Sequence, residues 1–295
     1  MEKRFEEFEA RYLNPLTDFG FHKIFGTESN KDLLINFLNE IIKEEGLITD
    51  IQYHPPEQFG DFKTERKAIF DIFCTTENGN YFIVEMQKAK QAFFRDRSIF
   101  YASIPIHRQA PQGIWDFHLK AVYMVAILDF ILSDEFEEEK EEVIERVSLM
   151  WERTKTPYSK KLKFAFVELP KFRKTADELE TNVDKWLFML KNLSRMEDRP
   201  ASIQGKIFEK LFELAEIKQL TEKDMEKYEK SVLEYYDVQD AMNCAREEGI
   251  EKGVKKEKIA IIQKCFQKNM AIEDIVFFTG FSKEQINRYK ENGIL

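Results

Sequence analysis

The chain has 295 residues, 43% of them hydrophobic and 34% charged, with a net charge of −9. This balance suits one large folded domain or two ordinary ones and excludes a disordered chain; the acidic surplus argues against nucleic-acid binding by the whole surface but not against a local basic cleft. Three scattered cysteines, Cys74, Cys244 and Cys265, offer neither zinc spacing nor a disulfide framework, and a reducing cytoplasm is the expected location.

The chain opens on MEKRFEEFEARY, charged rather than carrying the apolar core of a secretory signal. Residues 30–42 place Leu33, Leu34, Phe37, Leu38 and Ile41 at helical spacing, with Gly46 as a stop. ITDIQYH (48–54) predicts a short strand ended by Pro55 and Pro56. Residues 68–87 predict two apolar strands around a tight turn. A helix follows over 93–109, kinked or broken at Pro105. The apolar run within 120–130 predicts a buried strand and is far too short to span a bilayer. The order helix, strand, strand, strand, helix, strand predicts an α/β core, a mixed sheet flanked by helices.

The acidic segment 133–142 reads as a solvated connection. Residues 142–151 and 161–169 extend the sheet. The second alternates Leu162, Phe164 and Phe166 with Lys161, Lys163 and Ala165, the half-buried pattern. From Thr175 the period becomes helical, with one stripe through Leu179, Val183, Trp186, Leu187 and Leu190 and another through Ile207, Phe208, Leu211, Phe212 and Ala215. A long polar helix is expected over 238–268, with Gly249 and Gly253 as weak points. Residues 269–290 read as helix, Thr279-Gly280 turn, helix, with Ser282 and Gln285 as a capping box. The expected division is an α/β domain over 1–174 and an all-α region over 175–295. The terminal unit resembles a helix-turn-helix, with Lys283, Gln285, Asn287 and Arg288 on its second helix. Packing or homo-oligomerisation is the competing role for this region.

The hairpin AIFDIFCTTENGNYFIVEMQ (68–87) carries Asp71, Glu85 and Gln87 inside apolar strands. A two-residue Asn78-Gly79 turn pairs Asp71 with Met86 and sends Glu85 to the opposite face. A three-residue Glu77-Asn78-Gly79 loop, with Gly79 left-handed, pairs Asp71 with Glu85. Carboxylates so opposed stand within roughly 5 Å at Cβ and repel. A divalent cation relieves the repulsion, and hard oxygen ligands suit Mg²⁺ or Mn²⁺. A lone acid in a strand more simply faces solvent. Two acids and an amide in strands this apolar point towards a site.

Asp71, thirteen intervening residues, and Glu85-Met86-Gln87 resemble the PD-(D/E)XK nuclease superfamily, whose core has the same element order. More closely, NPLTDFGFHKIFG (14–26), DIFCTTENGNYFIVEMQ (71–87) and RDRSIFYAS (95–103) are similar to the PD-(D/E)XK nuclease family of transposases, related to recombination-promoting nucleases. The likeness runs from about residue 14 past residue 130, and TGFSKEQI (279–286) is similar too. The resemblance implies a restriction-endonuclease-like fold and Mg²⁺- or Mn²⁺-dependent hydrolysis of DNA phosphodiesters. In that reading Asp71 and Glu85 ligate the metal, helped by the Met86 carbonyl, and no membrane is involved. The superfamily pattern has Lys where Gln87 stands, and a neutral amide cannot stabilise charge on the attacked phosphate as Lys does. The close family and some restriction enzymes of the superfamily also carry Gln.

Asp18 and Lys23 match the family's first motif, and Lys23 is a candidate for the missing positive charge. The plainer alternative is that Asp18 caps a short helix and Lys23 is exposed. Arg97 and Tyr101, at i and i+4, share a helix face and are candidates to meet a phosphate. Alternatively Tyr101 packs in the core and Arg97 pairs with an acid. Lys88 and Lys90 are candidate DNA-backbone contacts. Glu40, ending the first helix, stands where superfamily members often add an acid, or simply faces solvent. The leading reading is a mobile-element-associated DNA endonuclease. Its rivals are a non-cleaving DNA-binding or interaction protein on a decayed nuclease fold, and a purely structural α/β domain.

Overall fold

The computed structural model describes residues 9–42, 47–55, 57–58, 68–110, 113–132 and 142–291. Gly46, Pro56 and the acidic segment 133–141 lie outside the described residues. The chain forms two compact units, residues 1–238 and 239–295.

The first unit begins with α1 (Asp18–Phe25), capped by the Thr17 hydroxyl, which accepts from the Gly20 N–H. Helix α2 (Lys31–Ile41) buries its expected stripe of Leu33, Leu34, Phe37, Leu38 and Ile41. Then come β1 (Ile51–His54), β2 (Glu57–Gln58), β3 (Ala68–Ile69), β4 (Ile72–Thr76) and β5 (Tyr81–Gln87). Helix α3 (Phe94–Arg108) leads to β6 (Val122–Leu128), followed by the hairpin of β7 (Ile144–Met150) and β8 (Pro157–Glu168). Strands β2 and β3 pair with each other, and the rest form a six-stranded mixed sheet in the order β1-β4-β5-β6-β8-β7. Pairs β5/β6 and β6/β8 are parallel, the others antiparallel. The parallel β5/β6 pair requires a crossover, and α3 supplies it.

Side-chain alternation splits the hairpin between two cores. Ile72, Cys74, Phe82, Val84 and Met86 enter a core shared with α1, α2, α4 (Asn182–Asn192) and α5 (Lys206–Ala215). Phe73 and Ile83 enter a second core with Met124, Phe164, Phe166 and, from α3, Phe94 and Ala102. Helix α3 runs on through Pro105, whose ring is buried in line with Ser98 and Ala102, so packing holds what the missing N–H releases. Strand β6, central and covered on both faces, is buried throughout. The half-buried alternation expected of β8 ends at Phe164, because from there to Glu168 both faces are covered and every residue is buried.

The structural division differs from the expected boundary at residue 174/175. Trp186 of α4 packs with its ring centroid 5.6 Å from those of Phe25 and Phe37, and its indole N–H donates to Asn36 at 2.8 Å. Phe212 of α5 meets Tyr12 edge-on at 5.2 Å. These helices therefore complete the sheet's core, and helical periodicity alone does not say which core a helix joins. The division falls between Val238 and Gln239, within α6 (Glu222–Gln267). That helix starts well before residue 238 because Thr221 caps it, accepting from the Asp224 N–H at 3.2 Å, and because Tyr228 and Val232 are buried in the first core.

In the second unit Ile262, Cys265, Ile275 and Ile286 form a small core around α7 (Ile272–Thr279) and α8 (Lys283–Glu291). The capping box is present: Ser282 N–H donates to Gln285 Oε1 at 2.9 Å, and Gln285 N–H to Ser282 Oγ at 3.3 Å. Among the described residues no helix is long and apolar enough to cross a membrane.

Candidate active site

The turn decides which residues face each other. Thr76 N–H donates to Asn80 O at 2.9 Å and Gly79 N–H to Thr76 O at 2.8 Å, leaving a three-residue loop. Gly79 has φ +78°, the left-handed conformation glycine adopts without steric cost. Of the two turns open to the sequence, this loop pairs Ile72 with Val84 and Phe73 with Ile83. One step further, Asp71 stands opposite Glu85, where the regular ladder ends. The carboxylates take over the unfinished rungs: Asp71 Oδ2 accepts from Met86 N–H at 2.7 Å, and Glu85 Oε1 accepts from Asp71 N–H at 3.2 Å.

Gln87 extends this arrangement towards α3. Its Nε2 donates to Glu85 Oε2 at 3.2 Å, and its Oε1 accepts from Arg97 Nη2 at 2.6 Å. Arg97 Nη1 also donates to Gln91 Oε1. The guanidinium lies over the rings of Phe94, at 5.1 Å, and Tyr101, at 5.6 Å. Its Nε is buried and finds no acceptor among the described residues. Asp71, Glu85, Gln87 and Arg97 thus form one continuous polar track along the α3 side of the sheet.

Electrostatics set the carboxyl pair apart. Burial holds the Glu85 carboxyl well above the usual carboxylate range, and the Asp71 charge raises it further. Asp71 is raised too, chiefly by desolvation around its inward-turned carboxyl and then by the charge of Asp18, against the pull of the Met86 N–H, Lys88 and Arg97. Asp71 is exposed as a residue while Glu85 is only 3% exposed, so the cost of carrying a charge falls more heavily on Glu85. Neither carboxylate has an ion-pair partner among the described residues. Two mutually repelling carboxylates, neither in an ion pair among the described residues, form a hard-oxygen donor set that fits Mg²⁺ or Mn²⁺. Among the described residues no group of three or more His, Cys, Asp or Glu side chains gathers at one point.

The other expected residues divide. Lys88 Nζ pairs with Asp18 Oδ1 at 2.7 Å, and this brings the start of α1 beside the end of β5. Thr17, not Asp18, is the helix cap. Lys23 pairs instead with Asp224 of α6 at 3.3 Å, and the cations that act on the carboxyl pair are Arg97 and, at Asp71, Lys88. Arg97 engages amides rather than an acid. Tyr101 meets Phe70 edge-on at 5.3 Å and packs against the second core. Glu40 accepts from Asn182 Nδ2 at 3.3 Å, on α2 across the sheet from Asp71 and Glu85. Sequence reasoning missed Gln91, whose only signal is a polar residue just ahead of a helix. It also missed buried Glu168, which the strand register places in one row with Gln87 and Leu128 and which Lys171 holds at 3.3 Å. The i, i+3 spacing of Glu168 and Lys171 was its available signal.

A family profile described as PD-(D/E)XK nuclease family transposase matches residues 15–245. Comparison with curated proteins and with solved structures returned no match.

Proposed function

The chain belongs to the PD-(D/E)XK nuclease transposase family, nuclease-like and associated with mobile elements, and from that premise we propose that it is a Mg²⁺- or Mn²⁺-dependent DNA endonuclease. The observation that carries the reading is the opposed pair Asp71 and Glu85, desolvated and without an ion-pair partner, joined through Gln87 to Arg97. PD-(D/E)XK nucleases generally use divalent metals, and here Asp71 and Glu85 would hold the ion. When bound, a divalent ion lowers the pKa of a coordinated water and polarises a phosphate oxygen.

The chain's own residues do the rest. Gln87 fixes the Glu85 carboxylate with its amide N–H and fixes Arg97 with its carbonyl. Arg97, held by Gln87 and Gln91, sets a positive charge beside the carboxyl pair and supplies part of the charge stabilisation that a Lys at position 87 would give. Tyr101 supports the guanidinium from below. Lys88, restrained by Asp18, lies beside the site for a flanking phosphate. The three thiols are free, which suits action in the cytoplasm.

Nicking of supercoiled plasmid tests the reading. Wild type is expected to nick with Mg²⁺ or Mn²⁺, and Asp71→Ala and Glu85→Ala to lose at least about a thousandfold in rate. Cleavage that persists equally in both variants sinks the site. A wild type that binds DNA but never nicks is the non-cleaving binder on the same fold.

A further inference from the structure

The β7–β8 hairpin departs from the rest of its sheet. Strand β7 is an edge, and the ribbon beyond the covered part of the sheet exposes Leu149 and Met150 by more than 40%, Trp151 by 56% and Tyr158 by 62%. The Trp151 and Tyr158 rings meet edge-on at 5.0 Å. Trp151 N–H donates to Thr156 O and Lys155 N–H to Trp151 O, both at 2.9 Å, so the tip is closed and ordered. Register shifts between Ser148 and Met150 give the ribbon a bulge, which increases twist.

Its charge is also unlike the rest of the chain. Residues 146–163 hold six basic residues and one acid, in a protein of net charge −9. Arg153, Lys155, Lys160 and Lys161 are exposed and make no ion pair among the described residues. Lysines on an edge strand can serve simply to block edge-to-edge pairing. That purpose does not call for four large apolar side chains on the same ribbon. Unpaired cations interleaved with exposed aromatics on a two-stranded ribbon match nucleic acid: phosphates take the cations, and sugars or bases pack on the rings.

We infer that the β7–β8 hairpin is a docking arm that enters a groove of duplex DNA, on a flank of the segment held at the carboxylate pair. The inference rests on the reading that the chain acts on DNA. The strand register fixes the spacing. Glu85 shares a row with Ala126 and Phe166, and Tyr158 precedes Phe166 along β8. At about 3.3 Å per residue the tip lies roughly 25 Å from that row along the strand direction, about seven base pairs of duplex. Only a duplex long enough to span this distance reaches both places.

The test is duplex binding by fluorescence anisotropy with the full chain carrying Glu85→Gln, so that DNA is not consumed. A duplex of about 30 base pairs and a hairpin-closed duplex of about 5 base pairs, shorter than that span, are compared at several salt concentrations. Combining Arg153→Ala, Lys155→Ala, Lys160→Ala and Lys161→Ala is expected to weaken binding of the long duplex at least tenfold. It should also reduce the log–log salt slope by about 3 to 4, at roughly 0.9 per lost phosphate contact. Binding of the short duplex should change less than about threefold, because it cannot span the two places. Trp151→Ala with Tyr158→Ala should weaken the long duplex while leaving the slope unchanged. All these side chains are exposed, so an unchanged melting temperature is the folding control. Unchanged affinity and slope in the fourfold variant overturn the arm, as does a wild type that binds no duplex. A fourfold variant that binds as wild type but shifts from dimer to monomer in sedimentation assigns the edge to a second copy of the chain instead. Plasmid nicking separates the two readings. Arm-dependent binding without nicking under any divalent ion leaves the arm and removes the endonuclease. Nicking with an unaltered salt slope does the reverse.

Discussion

The β4–β5 hairpin draws two carboxylates into the sheet, whereas the β7–β8 hairpin pushes two aromatic rings out of it. Both depart from the usual pattern of apolar inside and charged outside, in opposite senses. Their neighbours explain the difference in cost. Strands β4 and β5 lie between β1 and β6, and α3 covers the face that carries Glu85, so its charge is stripped of water. The tip of β7–β8 runs beyond its neighbours, and exposed rings there forgo only a modest gain of burial. An inward charge strains the fold until a ligand compensates it, and its position has to be exact to within one residue of register. An outward ring leaves the fold indifferent and matters only to a partner.

The largest effect should come from breaking the inner register. Deleting Phe82 from within β5 brings Met86 opposite Asp71 and sends each later β5 side chain to the other face. Nicking should vanish and the melting temperature should fall by at least about 10 °C, or cooperative unfolding be lost. Deleting Thr154 from the outer turn should move it by less than about 3 °C. Equal effects from the two deletions would remove the distinction drawn here.

Next in size is the charge on Glu85. Both carboxyls are raised above their unfolded-chain values, so the folded protein holds protons that the unfolded chain releases. That contribution is complete below the unfolded carboxyl range and is lost as pH rises through the raised folded values. The cation-free protein should therefore weaken as pH climbs from about 4 towards 9. Glu85→Gln should exceed wild type by about 1–2 kcal/mol in urea denaturation at the alkaline end, with the gap closing near pH 4 or so. A fixed Mg²⁺ concentration, about a hundred times the Kd at the alkaline end, should add about 2.7 kcal/mol to wild type there, less at low pH, and little to the variant. A difference between the two proteins that does not change with pH would count against the carboxyl pair.

How much of this was legible beforehand depended on whether local pattern and burial coincide. In α2 they do, and all five stripe residues are buried as the spacing predicts. The hairpin's strands were legible, but their register was not. Gly79 permits a left-handed residue in either turn, and the choice between Met86 and Glu85 as the partner of Asp71 is made by the rest of the sheet. Contacts across long separations left no trace in the sequence: Lys23 meets Asp224, and α4 and α5 join the first core. Nor does composition indicate that one amide, Gln87, serves both Glu85 and Arg97.

That shared amide sets a smaller prediction. Gln87→Lys restores the superfamily's charge, but the ammonium can only donate, so it keeps Glu85 and loses Arg97. It also sets two cations side by side. Nicking should fall, by no more than about tenfold, because one positive charge beside the carboxyl pair replaces another. A rate above wild type would mean that the amide limits the chemistry.

The finest comparison is between the two turns themselves. Each contains a left-handed residue, Gly79 at φ +78° and Lys155 at φ +55°. A Cβ on Gly79 would meet the Lys120 side chain no closer than 3.4 Å, so space is available and the cost of Gly79→Ala is conformational. That cost should be about 1–2 kcal/mol, read as a lower urea midpoint at unchanged slope. Lys155 already bears such a strain, with its side chain exposed. Lys155→Gly should relieve it and, after the extra backbone entropy that glycine loses, stabilise the protein by about 0.5 kcal/mol. Opposite signs at two equivalent positions are expected because the inner turn has the residue its conformation favours. The outer turn keeps a lysine that its backbone disfavours, which makes sense if the charge at the tip matters more to a partner than to the fold.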